Sequence, residues 1–397
     1  VNWFMLRLKK KFRQIPFFYA VNSFMKASQF KRELKNNQKY YDYFGAKVEN
    51  YSEKESQDLF QKKIKQKFFR YPENRKLRVF WVGTDEHQDR SGFLQSLSEL
   101  CEVVEFYNDQ GGYGQVFSES LFDFEVQFRN GKQFRRLIDK FEVDIVLGQM
   151  LSNYLPKDAL EYAASKNIPI INIAMDDRLP YLWRKNSGCP IGAAGYLEAV
   201  DLTLTTCSDV CSRYSFYGMP SLFWPLASDE NIFYPNKVKD IDLCFIGNRY
   251  GVRDEIVSYL IKNGVNVTVY GAGWPLGRVD HELSPSIFGR SKVVLGIGTV
   301  GHCEDVYTLK LRDFDALMSG AAYITHRNPD LELIFEEGSQ ILFYESKREL
   351  LMKVNDLLLN EKLRNRISSE GRKVAVEKHT WNYRISSLLE MLKEASV

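Results

Sequence analysis

The chain has 397 residues, 44% apolar, 26% charged and 14% aromatic, which excludes a disordered or collagen-like protein and, at roughly 150 residues per domain, predicts two or three domains. Its net charge of +3 is unevenly placed: residues 1–70 hold 17 Lys/Arg against 6 Asp/Glu, a local +11, so the remainder carries −8. A nucleic-acid binder spreads basic charge over its folded body, so this pattern argues against nucleic acid and suits an anionic surface such as a membrane.

In chain order, residues 1–70 carry few strand signals and read as a basic amphipathic helical extension. Phe4, Leu8, Phe12 and Ile15 recur at helical spacing with Lys9, Lys10, Lys11 and Arg13 between them, and a second helical stretch runs over 21–34. Pro16 and polar residues interrupt the apolar stretch behind the basic start, which argues against a signal peptide. Two accounts of residues 1–35 stand side by side. Either these helices dock on the protein or on another subunit, or they form an interfacial anchor on anionic lipid.

From residue 77 short apolar runs alternate with longer amphipathic stretches. The runs are 77–83, 143–149, 168–175, 201–206, 242–247, 266–271, 292–298, 321–325 and 341–344. Runs apolar at every position predict strands buried on both faces, and alternation with helices makes the sheet parallel and doubly wound. Nine strands are many for one open sheet. The polar, aperiodic stretch 235–240 divides them into two Rossmann-like halves, 77–236 and 237–378, followed by a last helix within 379–397. The longest uncharged run, 214–228, is broken by Pro220 and Pro225 and is too short to span a bilayer. Six scattered cysteines suit reduced thiols, so the expected location is cytoplasmic, peripheral on the inner face of a membrane if the extension binds lipid.

Gly271-Ala-Gly273-Trp-Pro-Leu-Gly277 departs from the dinucleotide fingerprint. Its third glycine is one position late, and Ser291 and Lys292 stand where the ribose-binding acid belongs, so it reads as a glycine turn lining a nucleotide cleft. No zinc motif, Walker A loop or nucleophile elbow is present, and no metal or cofactor is expected. The densest constellation is Lys310-Leu-Arg312-Asp313-Phe314-Asp315-Ala-Leu-Met-Ser-Gly320, a polar turn entering a short helix capped at Gly320. Basic side chains and amides at such a helix start can hold a diphosphate, and a carboxylate can take both hydroxyls of a ribose. The plain alternative is a helix-end charge pattern.

That segment resembles the Arg-x-Phe-Glu…Gly-Ala run of the spore-maturation-protein (CgeB-like) branch of the GT-B, group 1 glycosyltransferases. Pro329-Asp330…Phe335-Glu-Glu-Gly338 and Gly371-Arg372…His379-Thr380…Arg384 resemble the same family's C-terminal half, and Gly218-Met-Pro220…Phe233-Tyr-Pro235 its interdomain segment. The resemblance covers about 200–390 by motif and 77–200 by strand order. It implies two Rossmann-like domains facing a cleft, a nucleotide sugar held mainly by the second domain, and a last helix crossing back to the first. By position it implies that Asp315 takes the ribose and that Gly247 and Asn248 form the donor domain's first glycine turn. Arg249 or Arg253, with Lys310 and Arg312, would offset the diphosphate charge. The Glu-x7-Glu pair of retaining members is incomplete, with Tyr307 and Asp315 in its two places, so retaining and inverting chemistry both stay open.

In the first half, the strand over 168–175 runs into Asp176-Asp177-Arg178. Family members often place His-Asp at this strand end; here it is Met175-Asp176. His87 and Asp89 follow the first strand at the same sheet edge. Asp176, His87 or Asp89 could act as the base, while Asp177-Arg178 also reads as a helix-start ion pair. The expected activity is metal-independent transfer of a sugar from a nucleotide diphosphate sugar to a glycan, lipid-linked or protein acceptor in surface polysaccharide or glycoprotein assembly. The rivals are a non-catalytic sugar-nucleotide or glycan-binding subunit and a sugar-nucleotide epimerase of the same fold. A homo-oligomer remains open.

Overall fold

The computed structural model describes residues 16–186, 188–280 and 282–397; the Lys9–Lys11 cluster and the aromatic residues around it lie outside them. Two separate parallel sheets form, as the alternating apolar runs require. The first has the order Glu102–Glu105, Arg78–Val82, Ile145–Gly148, Ile170–Ala174, Leu202–Thr205, Ser221–Phe223. The second has the order Val267–Tyr270, Ile241–Ile246, Ser291–Leu295, Ala322–His326, Leu342–Tyr344. Every pairing within both sheets is parallel, with Val79 opposite Ile145 in the first and Val293 opposite both Leu243 and Ala322 in the second. In each sheet the strand order reverses beside the first strand, so each has a switch point where its loops part and leave a crevice.

The two halves share one continuous core, in which Trp81, Phe93 and Trp224 of the first sheet's surroundings meet Phe314, Phe335 and Trp381. The chain crosses between halves twice, side by side. Ser228 N–H donates to the His379 carbonyl at 3.1 Å and Trp381 N–H to the Ser228 carbonyl at 2.9 Å. The helix Trp381–Glu394, capped by the Thr380 hydroxyl, then lies against the helix Phe93–Leu100 of the first half, with Trp381 edge-on to Phe93 at 5.2 Å. Beyond it, Val397 N–H donates to the Phe69 carbonyl at 3.0 Å.

Two helices precede the first sheet. Glu53–Gln66, capped by Ser52, buries Ser56, Phe60 and Ile64 at a spacing of four and closes the edge strand Ser221–Phe223, whose Ser221 carbonyl accepts from the Tyr51 hydroxyl at 2.6 Å. Pro16–Tyr43 straddles both halves. Phe30 packs on Gly301, whose φ of +64° and missing Cβ let the ring approach. Further along, Glu33 takes Arg184 at 2.8 Å, and Tyr41 is buried against Trp183 and Tyr217. The helix thus docks on the protein itself, while Val21, Phe24 and Met25 remain exposed on its outer side. Among the described residues no helix is long and apolar enough to cross a membrane.

Candidate functional site

The second sheet's switch point lies between Ile241–Ile246 and Ser291–Leu295, and two interlocked turns cap it. Gly247 N–H donates to the Tyr270 carbonyl and Arg249 N–H to the Ala272 carbonyl, both at 2.8 Å, while the Asn248 side chain accepts from Ala272 N–H at 3.1 Å. A Cβ at Gly271, whose φ is +138°, would collide with the Gly247 carbonyl, so only glycine lets the turns close this tightly.

Under these turns lie two buried guanidinium groups. Arg253 donates to the Asn248 carbonyl at 2.9 Å and the Ile297 carbonyl at 3.2 Å. Arg312, from the helix Leu311–Met318, reaches back to the Ile246 carbonyl and to the same Ile297 carbonyl at 3.2 Å. Both stack on Phe245, and Arg253 also lies 4.1 Å over the Tyr250 ring. Among the described residues neither has a carboxylate partner, and each leaves its Nε without any partner. Burial, and then the neighbouring Arg312, push Arg253 down to about 10. Two buried cations side by side, with no carboxylate in ion-pair contact and only the longer-range charges of Asp176 and Asp313 to offset them, form a costly arrangement that a bound anion relieves. Arg249, the sequence alternative to Arg253, turns away to Asp254 at 2.8 Å and lies over Trp274.

Across the crevice, Asp176 stands past the end of Ile170–Ala174 with φ +57°, a left-handed conformation that costs a non-glycine residue energy and is concentrated at functional sites. Lys310 of the second half donates to its Oδ1 at 2.9 Å, so the pair ties the halves together at the cleft floor. The Asp176 side chain is still 39% exposed. Burial works to raise its pKa, but Lys310, the Thr308 hydroxyl and Arg253 outweigh it and hold the carboxyl below the ordinary range. Asp177 and Arg178 do not pair with each other. Asp177 turns inward to the Thr205 hydroxyl at 2.7 Å, and burial raises it to about 7. Arg178 clasps Asp209 of its own half and the fully buried Asp330 of the other, each at 2.6 Å. Sequence reasoning missed Thr308 and this clasp.

Asp315 sits one turn inside its helix and accepts from the Ser228 hydroxyl at 2.7 Å, at the crossing between the halves; among the described residues its Oδ2 has no partner. Burial holds its carboxyl well above the usual range despite Ser228. Asp89 occupies the first sheet's switch point. It accepts from Tyr113 at 2.7 Å, from Trp81 and Gln149 at 3.3 Å, and from Thr84 N–H at 3.4 Å, and burial lifts it to about 6. It lines a cavity of about 10 Å³ between the halves with Met175, Leu311 and Trp381, room for roughly one water. His87 lies exposed on the helical turn before it. The structure therefore brings Asp176, Gly247, Asn248, Arg253, Lys310 and Arg312 together, with Asp315 behind them, and sets His87, Asp89 and Arg249 apart. Among the described residues no three His, Cys, Asp or Glu side chains converge as a metal would need.

Residues 253–390 match the family described as glycosyl transferase-like, a coarser grouping than the branch that the Arg312–Gly320 segment resembles. No curated protein matches the sequence. Among solved structures, a glycosyltransferase from Rickettsia africae is similar at TM-score 0.58 and 11% identity, over 81% of this chain and 99% of that one. The Anabaena protein HepE, in complex with UDP and glucose, is similar at TM-score 0.56 and 11% identity, over 80% of this chain and all of that one. A sucrose-phosphate synthase from Thermosynechococcus elongatus is similar at TM-score 0.57 and 12% identity, over 81% of this chain and all of that one. The fold is that of the GT-B glycosyltransferases, as the family resemblance implied.

Proposed function

We propose that this chain transfers a sugar from a nucleotide diphosphate sugar to an acceptor hydroxyl. The observation that carries the reading is the Arg253–Arg312 pair, buried at a switch point under a glycine turn with no carboxylate in ion-pair contact with it. A diphosphate supplies the missing charge, and Arg253, Arg312 and Lys310 then stabilise the negative charge that develops on it as the glycosidic bond breaks. The donor's ribose extends toward the free oxygen of Asp315.

Asp176 takes the acceptor proton. In the unliganded pair Lys310 keeps this carboxylate weakly basic. An arriving diphosphate competes for Lys310, and loss of that contact raises the Asp176 pKa where the acceptor hydroxyl must be deprotonated. The acceptor belongs to surface polysaccharide or glycoprotein assembly. Phe24 and Met25, exposed near Lys26 and Arg32, support peripheral placement on an anionic membrane, which co-sedimentation with anionic and neutral liposomes tests.

A thermal-shift panel of nucleotide sugars tests the donor, since a ligand at 100 times its Kd adds about 2.7 kcal/mol of stability. The stabilising donor is then incubated with and without acceptors. Release of nucleoside diphosphate supports transfer. Conversion of the donor to its epimer with no release overturns it in favour of an epimerase, and binding with neither change in favour of a binding subunit.

A further inference from the structure

A groove of about 630 Å³, within the usual range of small-molecule sites, opens where the helix Pro16–Tyr43 passes over the junction of the two halves. Its cations divide into two sets. Lys31 is matched by Asp305 at 2.8 Å, and Arg178 by Asp209 and Asp330. Arg213 and Lys35 have no carboxylate within 4 Å among the described residues. Arg213 is only 4% exposed, held between the Tyr41 and Trp183 rings at 5.2 and 5.4 Å. Its Nη2 donates to Gln38 of the helix at 2.8 Å, and its Nη1 has no partner. A buried guanidinium with an unused donor beside a second unpaired cation marks a place for an anion.

The groove adjoins the proposed reaction centre. Arg178, in its wall, is two residues from Asp176 and donates to the Tyr307 carbonyl at 3.0 Å; Tyr307, also in the wall, precedes Thr308 beside Asp176. Leu34 and Val306 give it an apolar side. We infer that this groove is an acceptor subsite for a sugar bearing a phosphate or carboxylate, with Arg213 and Lys35 holding the anionic group and the N-terminal helix forming one wall. The inference rests on the transferase reading for the word acceptor, and on the groove alone for the anionic sugar.

Isothermal titration of the full chain with glucose 6-phosphate, glucuronate, glucose and inorganic phosphate tests it. Glucose 6-phosphate or glucuronate should bind at least roughly tenfold more tightly than glucose or phosphate, and Lys35→Glu, at an exposed position, should weaken that binding roughly tenfold with nucleoside diphosphate affinity unchanged. Arg213→Lys, which keeps the charge but loses the fork, gives a second weakened variant. Equal binding of charged and neutral sugars, or no effect of Lys35→Glu, overturns the site. Inorganic phosphate binding as tightly as glucose 6-phosphate also overturns it, in favour of a free-phosphate site. If anionic sugars bind through Lys35 while no nucleotide sugar is turned over, the transferase reading fails and the anionic-sugar site stands. Turnover with no Lys35-dependent preference gives the reverse.

Discussion

The two sheets have the same kind of switch point and fill it with opposite chemistry. Between Arg78–Val82 and Ile145–Gly148 sits an acid, Asp89, raised to about 6 by burial and held by hydroxyl, indole, amide and backbone donors. Between Ile241–Ile246 and Ser291–Leu295 sit two guanidinium groups held only by carbonyls, with His326 nearby lowered to about 4 by burial and then by Arg253. Burial drives each set toward neutrality, and each sheet answers with the partner that suits its own charge. One parallel architecture thus places a buried acid at one switch point and a pair of buried guanidinium groups at the other.

Asp176→Asn should cut hardest into that contrast. It removes the first half's carboxylate facing the second half's cations, so turnover should fall about 10²-fold or more while nucleoside diphosphate binding stays intact or tightens as Lys310 is freed. Steady-state kinetics beside calorimetry reads both; turnover within a few-fold of the parent would move the proton to Asp89 or dispense with a base. Arg253→Gln should weaken nucleoside diphosphate binding about 10–100-fold, the effect of one charge-assisted hydrogen bond, and should lower the melting temperature modestly, because the Asn248 carbonyl loses its donor. Unchanged affinity would make the arginine pair a structural feature and erase the contrast between the sheets.

Asp315→Ala should cost about 1–3 kcal/mol of folding stability, because it leaves the buried Ser228 hydroxyl unsatisfied at the crossing, and Asp315→Asn should restore most of it. Denaturant titration measures both, and no loss would detach Asp315 from the crossing. A further effect is in pH. Asp177 has a folded pKa of about 7 against an ordinary 3.8, so its contribution is full below 3.8 and is lost as pH rises through 7. His326, at about 4 against 6.5, contributes above 6.5 and loses that contribution as pH falls through 4. The two oppose each other between about pH 4 and 6.5. Asp177→Asn should therefore tilt stability upward with pH across that window, and His326→Gln downward; parallel profiles would remove both groups from the balance.

The buried strands were legible because they are apolar at every position, and all nine runs form strands. Two more strands of the parallel sheets were not. Glu102–Glu105 is a charged four-residue edge, and Ser221–Phe223 hides in an uncharged run between two prolines, so neither has the signature of a strand buried on both faces. At the site, the strand end marked Asp176, and the family resemblance marked Lys310, Arg312 and the glycine turn. The choice of Arg253 over Arg249 was not legible, because they lie only four positions apart and only the folded turn decides which faces inward. Arg178 with Asp330, and Arg213 with Gln38, join residues more than 150 positions apart, and no local pattern encodes such a meeting.

The return of the helix Trp381–Glu394 to the first half has a consequence for synthesis. Phe93 and Trp224 are ready to pack when the first sheet leaves the ribosome, yet the indole that covers them is still more than 150 residues from being made. At 5–20 residues per second that interval is roughly 10–30 s, during which an apolar face stays open to water and to other nascent chains. The last wall of the first half is made only after the whole second half has been translated.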